Sequence, residues 1–244
     1  MADDGGEPEL LCETHDGLAR LTINRPHRMN TLSRGLQEQM RRSFAQLADD
    51  RDVRVILVRA SGERAFCAGA DMKEPGRHAY SNLADYLHDQ PGLFDEMRRC
   101  RQVIVSEVNG WAVGGGLQLA LFSDLIYASA GARFTLPQVR LGLMPPYGTT
   151  IRLARHIGHG RAMQMSLLGS ELTAEDALHC GLVQDVSPDP HTLRAHVDSI
   201  IRTLLELPPQ SLLLTKNALV TGWEMSSEAA AWADRFRDYS LKRG

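Results

Sequence analysis

Two glycine-rich turns, about 45 residues apart, each follow a short apolar stretch, and the second opens an apolar helix. The first reads Phe66-Cys67-Ala68-Gly69-Ala70-Asp71. The second reads Asn109-Gly110-Trp111-Ala112-Val113-Gly114-Gly115-Gly116. Small residues let a second molecule approach the backbone closely. A helix start adds unpaired N–H donors and the positive end of a dipole. Two such turns facing one place form the arrangement that stabilises an acyl oxyanion or an enolate.

The rest of the pattern predicts an α/β fold. Leu18, Ala19, Leu21 and Ile23 make a short strand ending at Asn24-Arg25-Pro26. Leu32, Leu36, Met40, Phe44 and Leu47 recur at helical spacing, with Thr31 or Ser33 as N-cap. Val53 to Val58 is a near-continuous apolar, β-branched run of the kind found in a strand covered on both faces, and Val103 to Val108 is the next strand. A helix is expected from Leu117 to Phe122, and strands from Leu125 to Ala128 and from Leu182 to Val186. The alternation predicts crossovers rather than hairpins. Helical spacing also appears around Leu83, Leu87, Phe94 and Met97, and helices dominate from about Thr149 onward. Thr173-Ala174-Glu175-Asp176 reads as a capping box, and residues 191–207, 210–221 and 225–240 read as three more helices. Three segments follow: a disordered lead-in over 1–8, a core over 9–187, and a helical region over 188–244.

Composition excludes several function classes. A net charge of −3 gives no electrostatic reason to expect nucleic acid or anionic membrane as a partner. No apolar run approaches the roughly 18 residues of a membrane span. Cys12, Cys67, Cys100 and Cys180 are scattered without a Cys-x-x-Cys pair, which suits a reduced cytoplasm better than a disulfide or zinc framework. His156 and His159 stand three apart without an evident third ligand, so no metal is expected.

Taken in order, these stretches resemble the enoyl-CoA hydratase/isomerase, or crotonase, family. The anchors are Asn24-Arg25-Pro26 with Asn30-Thr31-Leu32, the segment 65–74, and Val108 through Gly116. Asp124, Phe134-Thr135-Leu136-Pro137, Leu141-Gly142-Leu143, Leu182-Val183 and Lys216 complete the series. The resemblance implies a crotonase (ClpP-like) spiral of ββα units with a C-terminal helical trimerisation region, assembled as a homotrimer or homohexamer. It implies a coenzyme A thioester as substrate and no cofactor. Backbone N–H groups of Ala70 and Gly115 would clamp the thioester oxygen. The substrate would lie against Ala68, Gly69, Asp71, Met72, Lys73 and Gly114, with Trp111 and Leu141 near the acyl group. Arg25 or Arg28 is the candidate for the CoA phosphates.

The departure from the family lies in its two proton-transferring glutamates. Their positions read Gln118 and Gln138, and the loop slot where some relatives carry an aspartate reads Pro146. An amide neither gains nor loses a proton near neutral pH. Simple hydration of an enoyl thioester is therefore disfavoured, while enolate stabilisation is retained. Decarboxylation and other C–C bond chemistry fit that inventory. Hydration or isomerisation with another or an imported base, such as bicarbonate held by the two amides, is one alternative. A catalytically silent acyl-CoA-binding scaffold is another, and glutamines introduced to trap a substrate are a third. Tyr147 is the nearest new proton donor. Glu74 and the segment 77–90, with Arg77, His78, Tyr80, Asp85, Tyr86 and His88, correspond to a lid in the family.

Overall fold

Apolar β-branched runs become the central strands, and their alternation serves two cores at once. The computed structural model describes residues 7–74, 92–222 and 229. Strands β1 (Leu10–His15), β2 (Leu18–Ile23), β3 (Val55–Ala60), β5 (Val103–Val108), β7 (Leu125–Ser129) and β10 (Asp185–Ser187) form one sheet in the order β1-β2-β3-β5-β7-β10. Only the β1–β2 pair is antiparallel. Ile56, Val58, Ile104 and Val108 face the main core. Val55, Leu57, Val103 and Val105 face a second cluster under Leu193, Val197 and Ile201 of helix α7 (Pro190–Glu206). A strand covered on both sides has no solvent face to show, hence the apolar stretches Val55–Val58 and Val103–Val105, and even Ser106 and Glu107 are buried.

A second sheet takes the short strands β4 (Ala65–Cys67), β6 (Trp111–Val113), β8 (Arg133–Thr135) and β9 (Glu171–Thr173) in that order. Successive turns of the chain thus give a long strand to one sheet, a short strand to the other, and then a helix. The helices are α2 (Leu93–Arg99) after β3–β4 and α3 (Gly115–Leu121) after β5–β6. After β7–β8 come a 3₁₀ turn (Pro137–Leu141) and then α4 (Thr149–Ile157) and α5 (His159–Leu168). This is the ββα spiral that the resemblance implies. Helix α1 (Arg34–Asp49) buries the expected Leu36, Met40, Phe44 and Leu47, and Ser33 is its N-cap, accepting from Leu36 N at 3.0 Å. The capping box of α6 (Ala174–His179) is present, with Thr173 and Asp176 bonded reciprocally. Helix α8 (Pro209–Gly222) is tied to the sheet by Lys216, whose Nζ meets Asp124 Oδ2 at 2.7 Å.

Three expectations are corrected. The first connection is a hairpin, not a crossover: Asp16 and Gly17 both take positive φ, 47° and 82°, and turn β1 onto β2. Asp-Gly is a strong hairpin signal. The last strand is Asp185–Ser187, not Leu182 to Val186. Leu182 and Val183 are buried, yet their N–H groups both donate to Ala177 O and close helix α6. Strand β3 starts two residues later than Val53 and runs on to Ala60. The helix expected over 225–240, apart from Ala229, and the lid segment 77–90 lie outside the described residues.

A buried ion pair braces the end of β2 against the turn after β4. Arg25 Nη2 lies 2.9 Å from Asp71 Oδ2, and the two side chains are 8% and 7% exposed. Arg25 also meets Glu9 at 2.7 Å and donates to Thr31 O at 2.5 Å. Burial pushes the Asp71 carboxyl up, but the Lys73 N–H and the Arg25 guanidinium outweigh it and hold it below the usual carboxylate range. Asp71→Asn leaves Arg25 with a weakened set of partners, and we expect a loss of about 3 kcal/mol in a urea titration at pH 7. A folded-state pKa below the unfolded one stabilises above the unfolded value, near 3.9. The gap between parent and variant should therefore be full above about pH 4 and close as the pH falls through the depressed value. A pH-independent gap would show that Asp71 acts by packing instead.

Candidate active site

The two glycine-rich turns meet where α3 begins. Helix α3 enters against the last residue of β4 so tightly that a Cβ on Gly116 would lie 1.9 Å from Cys67 O. Gly69 takes φ +89°, and a Cβ there would lie 2.8 Å from Val113 O and 3.5 Å from Gly115 N. A Cβ on Gly115 would lie 3.8 Å from Ala70 N. The first turn is held from below: Ala70 bridges Leu32 in parallel, with Leu32 N donating to Gly69 O and Asp71 N to Leu32 O. That pairing leaves the Ala70 N–H unused. Gly115 is the first residue of its helix, where no intrahelical acceptor exists. Among the described residues neither amide has a hydrogen-bond partner. Two backbone donors thus converge on one place, at a helix start, as oxyanion stabilisation requires.

A cavity of about 120 Å³ opens in front of them. Of the residues singled out in the sequence, Ala68, Gly69, Ala70 and Met72 line it from the first turn. Gly114, Gly115 and Gln118 line it from the second turn and α3, and Gln138, Leu141 and Tyr147 from the opposite wall. Residues that were not singled out complete it, chiefly Leu32, Gln37, Phe94, Val113 and Leu143. Gln37 had a visible signal, a polar residue on the apolar face of α1 that is only 4% exposed.

Six residues stand elsewhere. Arg25 is buried in its ion pairs, so it does not reach for phosphates, and Asp71 turns its carboxylate onto Arg25 rather than into the cavity. Asp71 also accepts from Lys73 N at 3.0 Å, capping the turn. Arg28 and Lys73 are exposed and do not line the cavity. Trp111 sits at the far end of β6, and Val113 is the lining residue from that strand. Glu74 is committed to the start of α1, accepting from Arg34 N at 2.9 and 3.1 Å, where a carboxylate suits the helix dipole.

The polar groups of the cavity are amides and one phenol. Gln118 is 4% exposed, and its Nε2 donates to Thr149 Oγ1 at 2.6 Å and to Pro146 O at 3.1 Å. Gln138 is 8% exposed, and its Oε1 is buried without a hydrogen-bond partner. Tyr147 has φ +60° and packs on Phe94 with ring centroids 5.1 Å apart. Burial, with help from the Asp95 charge, pushes the Tyr147 phenol up, so it stays a proton donor at neutral pH. Burial pushes the Cys67 thiol up to about 12, which leaves no thiolate beneath the hole. No group of three or more His, Cys, Asp or Glu residues placed to hold a metal occurs among the described residues. No helix among them is long and apolar enough to cross a membrane.

Comparison with known proteins agrees with this geometry. The profile of the enoyl-CoA hydratase/isomerase family matches residues 13–240. An (E)-benzylidenesuccinyl-CoA hydratase of Thauera aromatica is 35% identical over 219 residues, 90% of this chain and 85% of its own. A 2,3-dehydroadipyl-CoA hydratase of Escherichia coli K12 is 34% identical over 228 residues, 93% of this chain and 88% of its own. The crystal structure of an enoyl-CoA hydratase from Bacillus anthracis superimposes with a TM-score of 0.88 at 27% identity, covering 97% of this chain and 92% of that one. The chain belongs to the enoyl-CoA hydratase/isomerase family, the crotonases, and is an enzyme of acyl-CoA metabolism.

Proposed function

We propose that the protein binds an acyl-CoA thioester with its carbonyl oxygen between the Ala70 and Gly115 N–H groups. There it stabilises the enolate formed when a C–C bond next to the α-carbon is broken or made. Decarboxylation belongs to this class: the electron pair of the breaking bond stays on the α-carbon and spreads onto the thioester oxygen as CO₂ leaves. No side-chain carboxylate is needed to generate that enolate. The observation that carries the reading is the seating of Gln118. Both hydrogens of its amide are engaged, one by a threonine hydroxyl and one by a backbone carbonyl, so the position is built for an amide. A carboxylate there would set an oxygen against Pro146 O.

Hydration with a base from elsewhere is the second reading, favoured by relatives that are named hydratases. The hydration assay separates the two. Crotonyl-CoA should bind the parent protein yet turn over at no more than about 10⁻³ of an ordinary hydratase rate, given what acid–base groups supply. Gln118→Glu with Gln138→Glu should raise that rate, each single change doing less than the pair. The gain should grow with pH, because burial and the Pro146 carbonyl hold the carboxyl introduced by Gln118→Glu protonated above its ordinary range, and a base must be ionised. Efficient hydration by the parent in bicarbonate-free buffer would overturn the C–C reading.

The oxyanion hole is tested separately. Gly115→Pro removes one donor and should lower affinity for the enolate form of acetoacetyl-CoA, read by its ultraviolet band, by at least about tenfold. A change at the exposed Arg42 should leave it unaltered. An unchanged affinity in Gly115→Pro would reduce the motif to a packing turn.

We also infer a homotrimer or a dimer of trimers in the cytoplasm. Helix α5 exposes Met163, Leu167 and Leu168 at 45%, 58% and 62%, apolar surface of the kind that closed assemblies cover. A stable monomer by light scattering at micromolar concentration would refute the assembly.

A further inference from the structure

Helix α7 covers a polar rung that crosses the sheet. Thr22 of β2 pairs in register with Arg59 of β3, Glu107 of β5 with Tyr127 of β7, and Tyr127 with Asp185 of β10. Arg59 and Glu107 join the two halves, since each directly follows the paired residues Val58 and Ser106. Two residues earlier on the same face stand Leu57 and Val105, part of the apolar cluster under Leu193, Val197 and Ile201. The helix therefore rests on apolar side chains, and then on this rung near the carboxyl ends of β2, β3 and β5.

Glu107 is the member of the rung with too few partners. Its side chain is 1% exposed, and Oε2 is buried without a hydrogen-bond partner among the described residues. Its Oε1 lies 3.7 Å from Nε of Arg194, too far for a good hydrogen bond, and Arg194 is 54% exposed. The other groups around it do not complete the set. From β3, Arg59 gives its Nε to Thr22 Oγ1 at 3.0 Å and adds its charge from there. From α7, Asp198 brings a second negative charge. His196 of the same helix is turned to Asp185, 3.4 Å away, and lies edge-on to Tyr127. Burial pushes the Tyr127 phenol up, so it stays neutral. Lys216 of α8 is held by Asp124, and α3 and β4, packed on the other side, carry no charged residue. Burial pushes the Glu107 carboxyl up, and the Arg194 and Arg59 charges offset only part of that rise.

An ionised carboxylate in such a place lacks the partners that burial demands, whereas a neutral carboxyl loses far less on leaving water. We propose that Glu107 is a proton-operated latch beneath α7: the helix closes on the sheet when the carboxyl is neutral and loosens when it ionises. Arg194 stands at the rim, so an ionised Glu107 is drawn outward towards it, and the helix must lift for water to follow. Helix α8 keeps its own tie through Lys216 and Asp124, so the opening is confined to α7. The sign follows from linkage. A folded-state value above the unfolded one, near 4.3, has no effect below that pH and weakens the seat as the pH climbs through the raised value.

The test is hydrogen exchange over residues 190–206, read by mass spectrometry in the parent and in Glu107→Gln at matched pH. Below about pH 4 the two should exchange alike. Above the raised value, α7 of the parent should exchange at least about tenfold faster than α7 of Glu107→Gln, since a rise of one pH unit in that value corresponds to tenfold. Helix α1, on the other face of the sheet, should change less. Arg194→Met should move the onset to higher pH and Asp198→Asn to lower pH, which a packing role would not predict. A ratio that does not depend on pH overturns the proposal, and so do equal changes in α1 and α7. Slower exchange in the parent than in Glu107→Gln at high pH also overturns it, because the ionised pair with Arg194 would then be what holds the helix. Should Glu107→Gln fail to fold, the two rim variants decide the matter. Opposite shifts of the parent's onset support the latch, and no shift in either refutes it.

Discussion

The contact of Gly116 with the Cys67 carbonyl sets the geometry of everything around it. There is no room for a methyl group between the start of α3 and the end of β4, since a Cβ would stand 1.9 Å from that oxygen. Because the helix seats this deeply, the first turn can pass over it with Gly69 at φ +89°, and the Ala70 and Gly115 amides end up side by side. The convergence of these two amides is thus a by-product of backbone packed on backbone. Donors fixed in this way by the backbone are the kind that stabilise a developing charge. The Arg25–Asp71 pair secures the same turn from the other side, so the first glycine turn is clamped at both its start and its end.

The opposite wall is built differently, from a loop under strain. Tyr147 is one of few non-glycine residues with positive φ, and Gly148 follows it at φ +73°. Such a backbone costs a non-glycine residue on the order of 1–3 kcal/mol and persists only when its surroundings enforce it. Packing of Tyr147 against Phe94, and the start of α4 at the fully buried Thr149, do the enforcing. The result is that the Pro146 carbonyl and the Thr149 hydroxyl both reach Gln118. Strain in this loop and the orientation of an amide on another helix are one problem with one solution.

Much of this was legible in the sequence where the cause is local. The apolar stretches of β3 and β5 follow from strands buried on both faces. Ser33 and Thr173 cap because their oxygens serve the nearest orphan amides. The ordered glycine series marked the place where the two turns meet. What the sequence did not show depends on partners far along the chain. Arg25 reads as a surface cation until Asp71 and Glu9 are brought to it. Leu182 and Val183 read as strand residues, yet they close a helix because Ala177 O takes their N–H groups. Thr149 carried no signal, since its importance lies in which lone pairs it shows to a side chain 31 residues earlier. Asp16-Gly17 was different: its hairpin meaning is local, and the alternation of strands and helices elsewhere obscured it.

The amides at 118 and 138 change what the cavity can reward. A pair of carboxylates there would carry buried charge, and would be ionised only with compensation that the surroundings of Gln118 do not offer. Pro146 O presents a lone pair, and the Thr149 proton is already spent on that same oxygen. An amide at 118 meets both oxygens without charge, through the two hydrogens of its Nε2.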